Sequence, residues 1–410
     1  MSKKVPIIVI VVVVFIAVLW NQTLIPIRLE VAELEPIRVI GFDYVDEDKV
    51  SLTVIRENIK EEQSGNSSSG SKGGEEGGGK NEAITVTADT FENAMRALQL
   101  YTTKQIMGDH VKYILIGENL AKRELYSVMD FIARDEEFRF NSYVYVVKDT
   151  PIDEFLKGQV DSKEFLAEKL NNLEKHIDDF GFTSETKLLD ILNFLLEPDQ
   201  KGLISAISII NDEDAFGFSI DSSDKNKAKE SVSFLGYAHI KNGKLYEYLS
   251  PELSRGANIL QNNLKTAPIT IEDDEGNKIN LDVQRVNTKY SFEFNGDELK
   301  KVYIKSRIRS NFSHITNIVN IYQNDTIGEY EEKQAEVLKK EISEVMEKMK
   351  ETKSDFINLL QELKMKHPYK YQKLKDNWEE ILPNLEYEIY VESQITRTYD
   401  VFDKLIKGES

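Results

Sequence analysis

The sequence predicts an α+β protein, with three mixed α/β domains built on antiparallel and mixed sheets, following one N-terminal transmembrane helix. Three observations carry this. Residues Val5 to Trp20 form an uncharged apolar run. The remainder alternates stretches of helical period with stretches of strand period around one apolar set, the pattern of mixed layers. Hydrophobic residues make up 40% of the 410 and charged residues 30%, enough apolar material for true cores and too long a chain for one. The expected division is an anchor at 1–23, an N-terminal α+β domain at 24–200, a middle domain at 201–275 and a C-terminal α+β domain at 276–410.

The apolar run VPIIVIVVVVFIAVLW follows Lys3 and Lys4. With its flanks it reaches the ~17–20 residues that a span needs. It is longer than the apolar region of a cleaved signal peptide, and Val18-Leu19-Trp20 offers no small-residue cleavage site. Trp20 suits the headgroup boundary, and the two lysines favour the cytoplasmic side, so the body is expected on the outer face. The chain has no cysteine, which excludes disulfides, thiolate metal sites and a lipidated N-terminal cysteine. A net charge of −19 repels phosphate backbones, so nucleic acid is not an expected partner.

Along the body, Arg38 to Arg56 alternates as two strands about the turn Asp46-Glu47-Asp48. A Gly/Ser-rich stretch over 61–82 cannot bury apolar surface and is expected to be a flexible loop inside this sheet. Strand Ala83–Ala88 follows, then a helix Thr90–Tyr101 with Phe91, Met95, Leu98 and Tyr101 on one face. Val111–Ile116 reads as a buried strand, Leu120–Ala133 as a helix and Tyr143–Val147 as a strand. Ile152 to Glu197 reads as helical, with Leu188, Ile191, Leu192 and Leu195 as a stripe. Asp221 to Glu230 is a polar loop. Val232–Ile240 and Lys244–Leu249 flank Asn242-Gly243, a strong hairpin signal. Ser250-Pro251 opens a helix with a serine cap and proline at its first position.

A second hairpin is expected at Asp274-Glu275-Gly276, and strands dominate from Ile279 to Arg309. A charged helix over Tyr330–Lys350 carries Ala335, Leu338, Ile342, Val345 and Met349 at heptad spacing. Under three heptads is short for a coiled coil, so packing on a sheet is the expected arrangement. A last helix carries Tyr371, Leu374 and Trp378 on one face, with Trp378 expected in the core against strand Leu385–Arg397.

The sequence carries no catalytic or metal-binding motif. His110, His176, His239, His314 and His367 lack a second histidine or carboxylate at metal-binding spacing. Nucleophile elbows, phosphate loops and dinucleotide turns are absent from the sequence. The acidic runs 46–48, 212–214 and 272–275 do not fit a calcium loop and read as solvated turns. Catalytic, cofactor and metal residues are therefore expected to be none.

Several segments, taken in order, resemble the C subunit of bacterial spore germinant receptors, the Ger(x)C family. They are Ile37–Ile55 (IRVIGFDYVDEDKVSLTVI, containing Gly41), Ala88–Asp149, Phe234–Gly256 and Lys366–Thr398. Within them the signature positions are Gly108-Asp109-His110, Ile116-Gly117-Glu118, Asp130-Phe131, Arg134-Asp135, Asn141, Pro368, Trp378 and Pro383. The resemblance implies three α+β domains without a catalytic site. It also implies a receptor complex with two membrane subunits, A and B, in the inner spore membrane. The signature residues Gly41, Gly108, His110, Gly117, Asp135, Asn141, Pro368 and Trp378 are expected to be structural. Family members usually carry a lipidated cysteine after the signal segment. Here that region reads Ala17-Val18-Leu19-Trp20-Asn21, so a retained helix would replace the lipid. Two other classes stay open on sequence alone: a membrane-tethered extracytoplasmic enzyme such as a cell-wall hydrolase, and a solute-binding or scaffold protein.

Overall fold

The structure, a computed structural model, describes residues 34–56, 81–102, 104–162, 164–197, 200–209, 231–315 and 324–397. The apolar run Val5–Trp20, the Gly/Ser loop through residue 80 and the loop 221–230 lie outside the described residues. Among the described residues no helix is long and apolar enough to cross a membrane.

Two sheets organise the chain. The larger has eight strands in the order β10-β9-β8-β7-β6-β2-β3-β4. They are β2 (Val39–Tyr44), β3 (Val50–Arg56), β4 (Glu82–Ala88), β6 (Tyr113–Gly117), β7 (Tyr143–Val147), β8 (Gly202–Ile209), β9 (Val232–Lys241) and β10 (Lys244–Tyr248). The central pairs β2/β6, β6/β7 and β7/β8 are parallel, and the flanking pairs are antiparallel hairpins. Parallel strands are stable when both faces are covered, and every residue of β6, YILIG, is buried. Side chains alternate between the faces as the pleat requires. Ile40, Phe42, Ile114, Ile116, Val144 and Val146 enter one core, under the helices Phe91–Tyr101, Glu118–Arg123, Tyr126–Arg134 and Leu188–Leu196. Val39, Tyr113, Leu115, Tyr145 and Val147 enter the other, under Ile152–Gly158 and Leu166–Lys175.

The smaller sheet has the order β11-β12-β13-β14, formed by Ala267–Glu272, Lys278–Asn295, Glu298–Ile315 and Glu386–Arg397. Helix Asn324–Thr352 lies on it and buries Tyr330, Leu338, Ile342, Val345, Met346 and Met349 in a third core shared with Trp378. The heptad-like spacing thus serves a helix packed on its own sheet, and Ala335 is only partly buried. A two-stranded parallel pair, β1 (Leu34–Pro36) with β5 (Gln105–Met107), sits where the described chain begins.

The strands of the segment 201–275 divide between the sheets. β8, β9 and β10 complete the large sheet, and β11 opens the small one. The expected boundary at 200/201 therefore precedes a strand paired with β7, and that at 275/276 falls in the β11–β12 turn.

Local signals act as read. Thr90 Oγ1 accepts from the Asn93 N–H, and Ser250 Oγ from the Leu253 N–H with Pro251 next. Asn242 and Gly243 both take positive φ in the β9–β10 turn, the geometry that favours this dipeptide. The stretch read as one helix at 120–133 breaks at Glu124-Leu125, where the Leu125 N–H donates to Gly243 O instead of continuing the helix. The region 152–197 breaks into four helices, one ending at Gly181 with φ +74°. A side chain at Gly181 would meet the Ala267 Cβ at 2.4 Å.

Candidate functional site

In open α/β sheets, ligands bind beyond the carboxyl ends of the parallel strands. Here that position is taken by the protein itself. Asp43, at the end of β2, points its carboxylate at two helix starts. Its Oδ1 accepts from the N–H groups of Tyr44 (2.9 Å) and Leu120 (3.1 Å), and its Oδ2 from that of Ile152 (3.4 Å). Asp43 is 3% exposed. Burial pushes its carboxyl above the ordinary carboxylate range, and the three N–H donors oppose that push. The signature glycines explain themselves around it. A Cβ on Gly117 would lie 2.1 Å from the Asp43 Cγ, and one on Gly41 would lie 2.3 Å from Ile152 Cγ2. At both positions the lack of a Cβ leaves the room in which the Asp43 carboxylate and the Ile152 side chain sit.

A second group of signature residues meets at the opposite, amino ends of β6 and β7. Gly108 to His110 form a 3-10 turn, and its Gly108 N–H donates to Glu137 Oε2 at 2.9 Å. Asp135 shapes the facing loop by accepting from the Glu137 N–H at 3.0 Å. The two segments close through Ser142 Oγ, which donates to Val111 O at 2.6 Å. A cavity of about 350 Å³ lies between them, lined in part by Asp109, His110, Lys112, Arg139, Asn141 and Lys187. The structure therefore brings Gly108, His110, Asp135 and Asn141 into one loop cluster, next to the β1–β5 pair. Gly41 and Gly117 lie apart at the latch, and Pro368 and Trp378 lie in the other body. Pro368 is exposed and starts the helix Pro368–Leu374. Trp378 is 1% exposed, and its indole N–H donates to Asp355 Oδ2 at 3.1 Å.

The joint between the two sheets holds residues that the sequence reading passed over. His239, one of the five histidines without a metal-binding partner in the sequence, is fully buried there. Its Nε2 is 2.8 Å from Ser354 Oγ, its Nδ1 is 3.5 Å from Glu247 Oε1, and its ring lies 4.6 Å from that of Phe356. Lys348 pairs with the same Glu247 at 3.0 Å, and Lys241 Nζ donates to Thr352 O at 2.6 Å. Burial holds the His239 imidazole below its ordinary value of 6.5, with Glu247 opposing. A depressed histidine contributes stability that is complete above the unfolded value and lost as pH falls through the folded one. The expected result is a fall in urea midpoint as pH drops below about 6.5, with a shallower slope in His239→Gln. Equal slopes in the two proteins would remove His239 from the account.

Beside this joint opens a cleft of about 490 Å³ with walls from both bodies. Tyr237 stands at its base, its hydroxyl hydrogen-bonded to Ser184 Oγ and Asn258 Oδ1, both at 2.7 Å. Among the described residues, no group of three or more histidine, aspartate or glutamate side chains is arranged to hold a metal ion.

Comparison with known proteins adds identity to this geometry. Residues 28–209 match the family model described as "Spore germination protein N-terminal domain", and residues 235–399 match "Spore germination B3/ GerAC like, C-terminal". Among curated proteins, the chain is 24% identical over 319 residues to Spore germination protein KC of Bacillus subtilis (strain 168), covering 77% of this chain and 78% of that one. It is 22% identical over 329 residues to Spore germination protein B3 of the same organism, covering 77% and 81%. Among solved structures, the crystal structure of the GerBC protein superposes with a TM-score of 0.51 at 16% identity, covering 87% of this chain and 97% of that one. That likeness speaks to the fold.

Proposed function

Because this chain belongs to the GerAC-like spore germination family, matched in order by both of its domain models, we propose that it is the C subunit of a nutrient germinant receptor. Its relatives are spore germination proteins, and a role in spore germination follows for this chain. The finer reading is that it acts by contact, without turnover, on two membrane subunits, A and B, in the inner spore membrane. The observation that carries the reading is the ordered match of both domain models along nearly the whole described body. The use of its buried polar groups supports it. Asp43 and Asp355 both spend their carboxylates on backbone N–H groups of their own chain. The apolar run Val5–Trp20 would tether the body to the outer face of the membrane, since no cysteine is present to carry a lipid. Tethering raises the effective concentration near membrane partners without new contacts.

The test is genetic. Deleting the gene should abolish the spore's response to one set of nutrients while sporulation and non-nutrient germination proceed. Complementation with a chain lacking residues 1–20 should fail where the full chain succeeds. A deletion strain without paralogues that germinates normally on every nutrient would overturn the receptor reading.

A further inference from the structure

We propose that the cleft between the two bodies binds a small, neutral, hydroxyl-rich molecule of sugar size. The inference goes beyond the receptor-subunit reading and does not depend on it.

The cleft lies where helix Leu188–Leu196 and the start of β8 face the segment 356–364 of the second body. Its volume, about 490 Å³, is within the range of small-molecule sites, and such sites favour the boundary between two bodies. Its chemistry is unusual for a crevice. Asn193 reaches it from the first body, Asn358 and Gln361 from the second, and Gln261 and Asn263 from the end of helix Pro251–Leu260. A carboxamide carries a donor pair and an acceptor on one plane, and a sugar hydroxyl is donor and acceptor together, so the two are complementary. Neither the Asn193 nor the Asn358 side chain has a hydrogen-bond partner among the described residues, so both are available to a ligand. Phe194, half-buried at the rim, supplies apolar surface against which the C–H face of a sugar ring could lie.

Charge narrows the ligand class. Glu185, Asp190 and Glu197 line the cleft against Lys364, so an anion is repelled. The carboxylates are nevertheless occupied. Glu185 pairs with Lys187 at 3.3 Å, Asp190 accepts from the Lys187 N–H at 3.0 Å, and Glu197 accepts from Gln361 Nε2 at 3.3 Å. Each of these carboxylates already engages a group of the chain itself, so the amides are the least committed polar groups of the cleft, which favours a neutral polar molecule.

The walls are built rather than incidental. The Phe194 ring packs so closely on Gly202 that a Cβ there would lie 2.5 Å from its Cδ1. Beneath it, Ser205 Oγ is tied to Thr183 (3.0 Å) and Thr186 (3.1 Å), which holds the segment bearing Ser184 in place. The Gln361–Glu197 bond already bridges the two walls. A ligand held by Asn193 on one side and by Asn358 or Gln361 on the other would add to that bridge.

The experiment is calorimetric titration of the purified full-length chain in detergent with monosaccharides and a cyclic polyol. Inorganic phosphate and a zwitterionic amino acid serve as charged probes. Asn193 is exposed and Gln361 is half-buried at the surface, so alanine at either should leave the melting temperature close to wild type, which is checked first. Saturable binding of a neutral probe is expected, weakened about tenfold, or ~1.4 kcal/mol, by Asn193→Ala and by Gln361→Ala. Absence of saturable binding by every neutral probe would overturn the proposal. So would tighter binding of a charged probe, or binding unchanged in both variants. A sugar-binding cleft in a strain whose deletion leaves germination normal would keep this inference and sink the receptor reading. The reverse pair of results would do the opposite.

Discussion

Trp378→Ala is expected to destabilise the second body by about 3–5 kcal/mol. The side chain is among the largest fully buried in the structure and shares its core with Leu374, Leu382, Leu385 and Ile389. Truncation would leave a cavity that flanking short helices cannot fill without losing their own packing. A second term adds to the first. The indole N–H donates to Asp355, a buried carboxylate that also receives the N–H groups of Leu359 and Leu360, each at 2.7 Å. Burial pushes the Asp355 carboxyl above its ordinary range, so each donor around it matters. Trp378→Phe separates the two terms. It keeps most of the volume but leaves Asp355 short of one donor, at a cost of about 1–3 kcal/mol. Urea unfolding followed by circular dichroism is the measurement, because the chain has only two tryptophans and the variants remove one. A loss under ~1 kcal/mol with impaired partner binding would make Trp378 an interface residue instead.

Arg255→Met is expected to cost a similar ~3–5 kcal/mol. Arg255, on helix Pro251–Leu260, makes a two-pronged pair with Glu341 of helix Asn324–Thr352, with Nε to Oε2 at 3.0 Å and Nη2 on Oε1. Glu341 is 5% exposed, and burial raises its carboxyl above the usual range even with the arginine present. Removing the guanidinium would strand that charge. A raised carboxyl favours the folded state most below its unfolded value, and the benefit is lost as pH rises through the folded one. The deficit of Arg255→Met against wild type should therefore be largest near neutral pH and shrink on acidification towards the ordinary glutamate range. Arg255→Met combined with Glu341→Leu should recover most of the loss, since an apolar pair of similar volume replaces a buried ion pair at little cost. A deficit independent of pH and uncorrected in the double variant would place the damage elsewhere.

Both positions show how far the sequence could be read. Trp378 was legible as core because Tyr371, Leu374 and Trp378 recur at helical spacing; the expected single helix breaks into Pro368–Leu374, a 3-10 turn and Trp378–Ile381, but Leu374 and Trp378 are buried all the same. Its partner Asp355 was not, since a lone aspartate 23 residues upstream carries no local mark. Arg255 and Glu341 are separated by 86 residues on two helices that each looked self-sufficient. Gly41 and Gly117 stood out by resemblance, but the reason for them, the Asp43 latch, needs β2, β6 and two helix starts in place. A Gly-x-Asp at a strand end ahead of two α/β units is the one signal that could have pointed to it. The interbody cleft left no trace in the sequence, because its amides are scattered from Asn193 to Gln361.

What the sequence determined by itself is the set of elements. Helix starts at Thr90 and Ser250, the Asn242-Gly243 turn and the strand alternation around 38–56 are decided by neighbours a few residues apart, where side-chain period and capping chemistry act directly. Tertiary structure alone decided which strands share a sheet and which polar groups meet. An alternating strand fits either face of any sheet, so nothing local assigned β8 to β10 to the first sheet. A buried carboxylate or imidazole is satisfied by whichever groups the closed fold brings within hydrogen-bonding reach. Asp43 finds its donors 77 and 109 residues away and His239 its serine 115 residues away, and burial makes those distant partners obligatory.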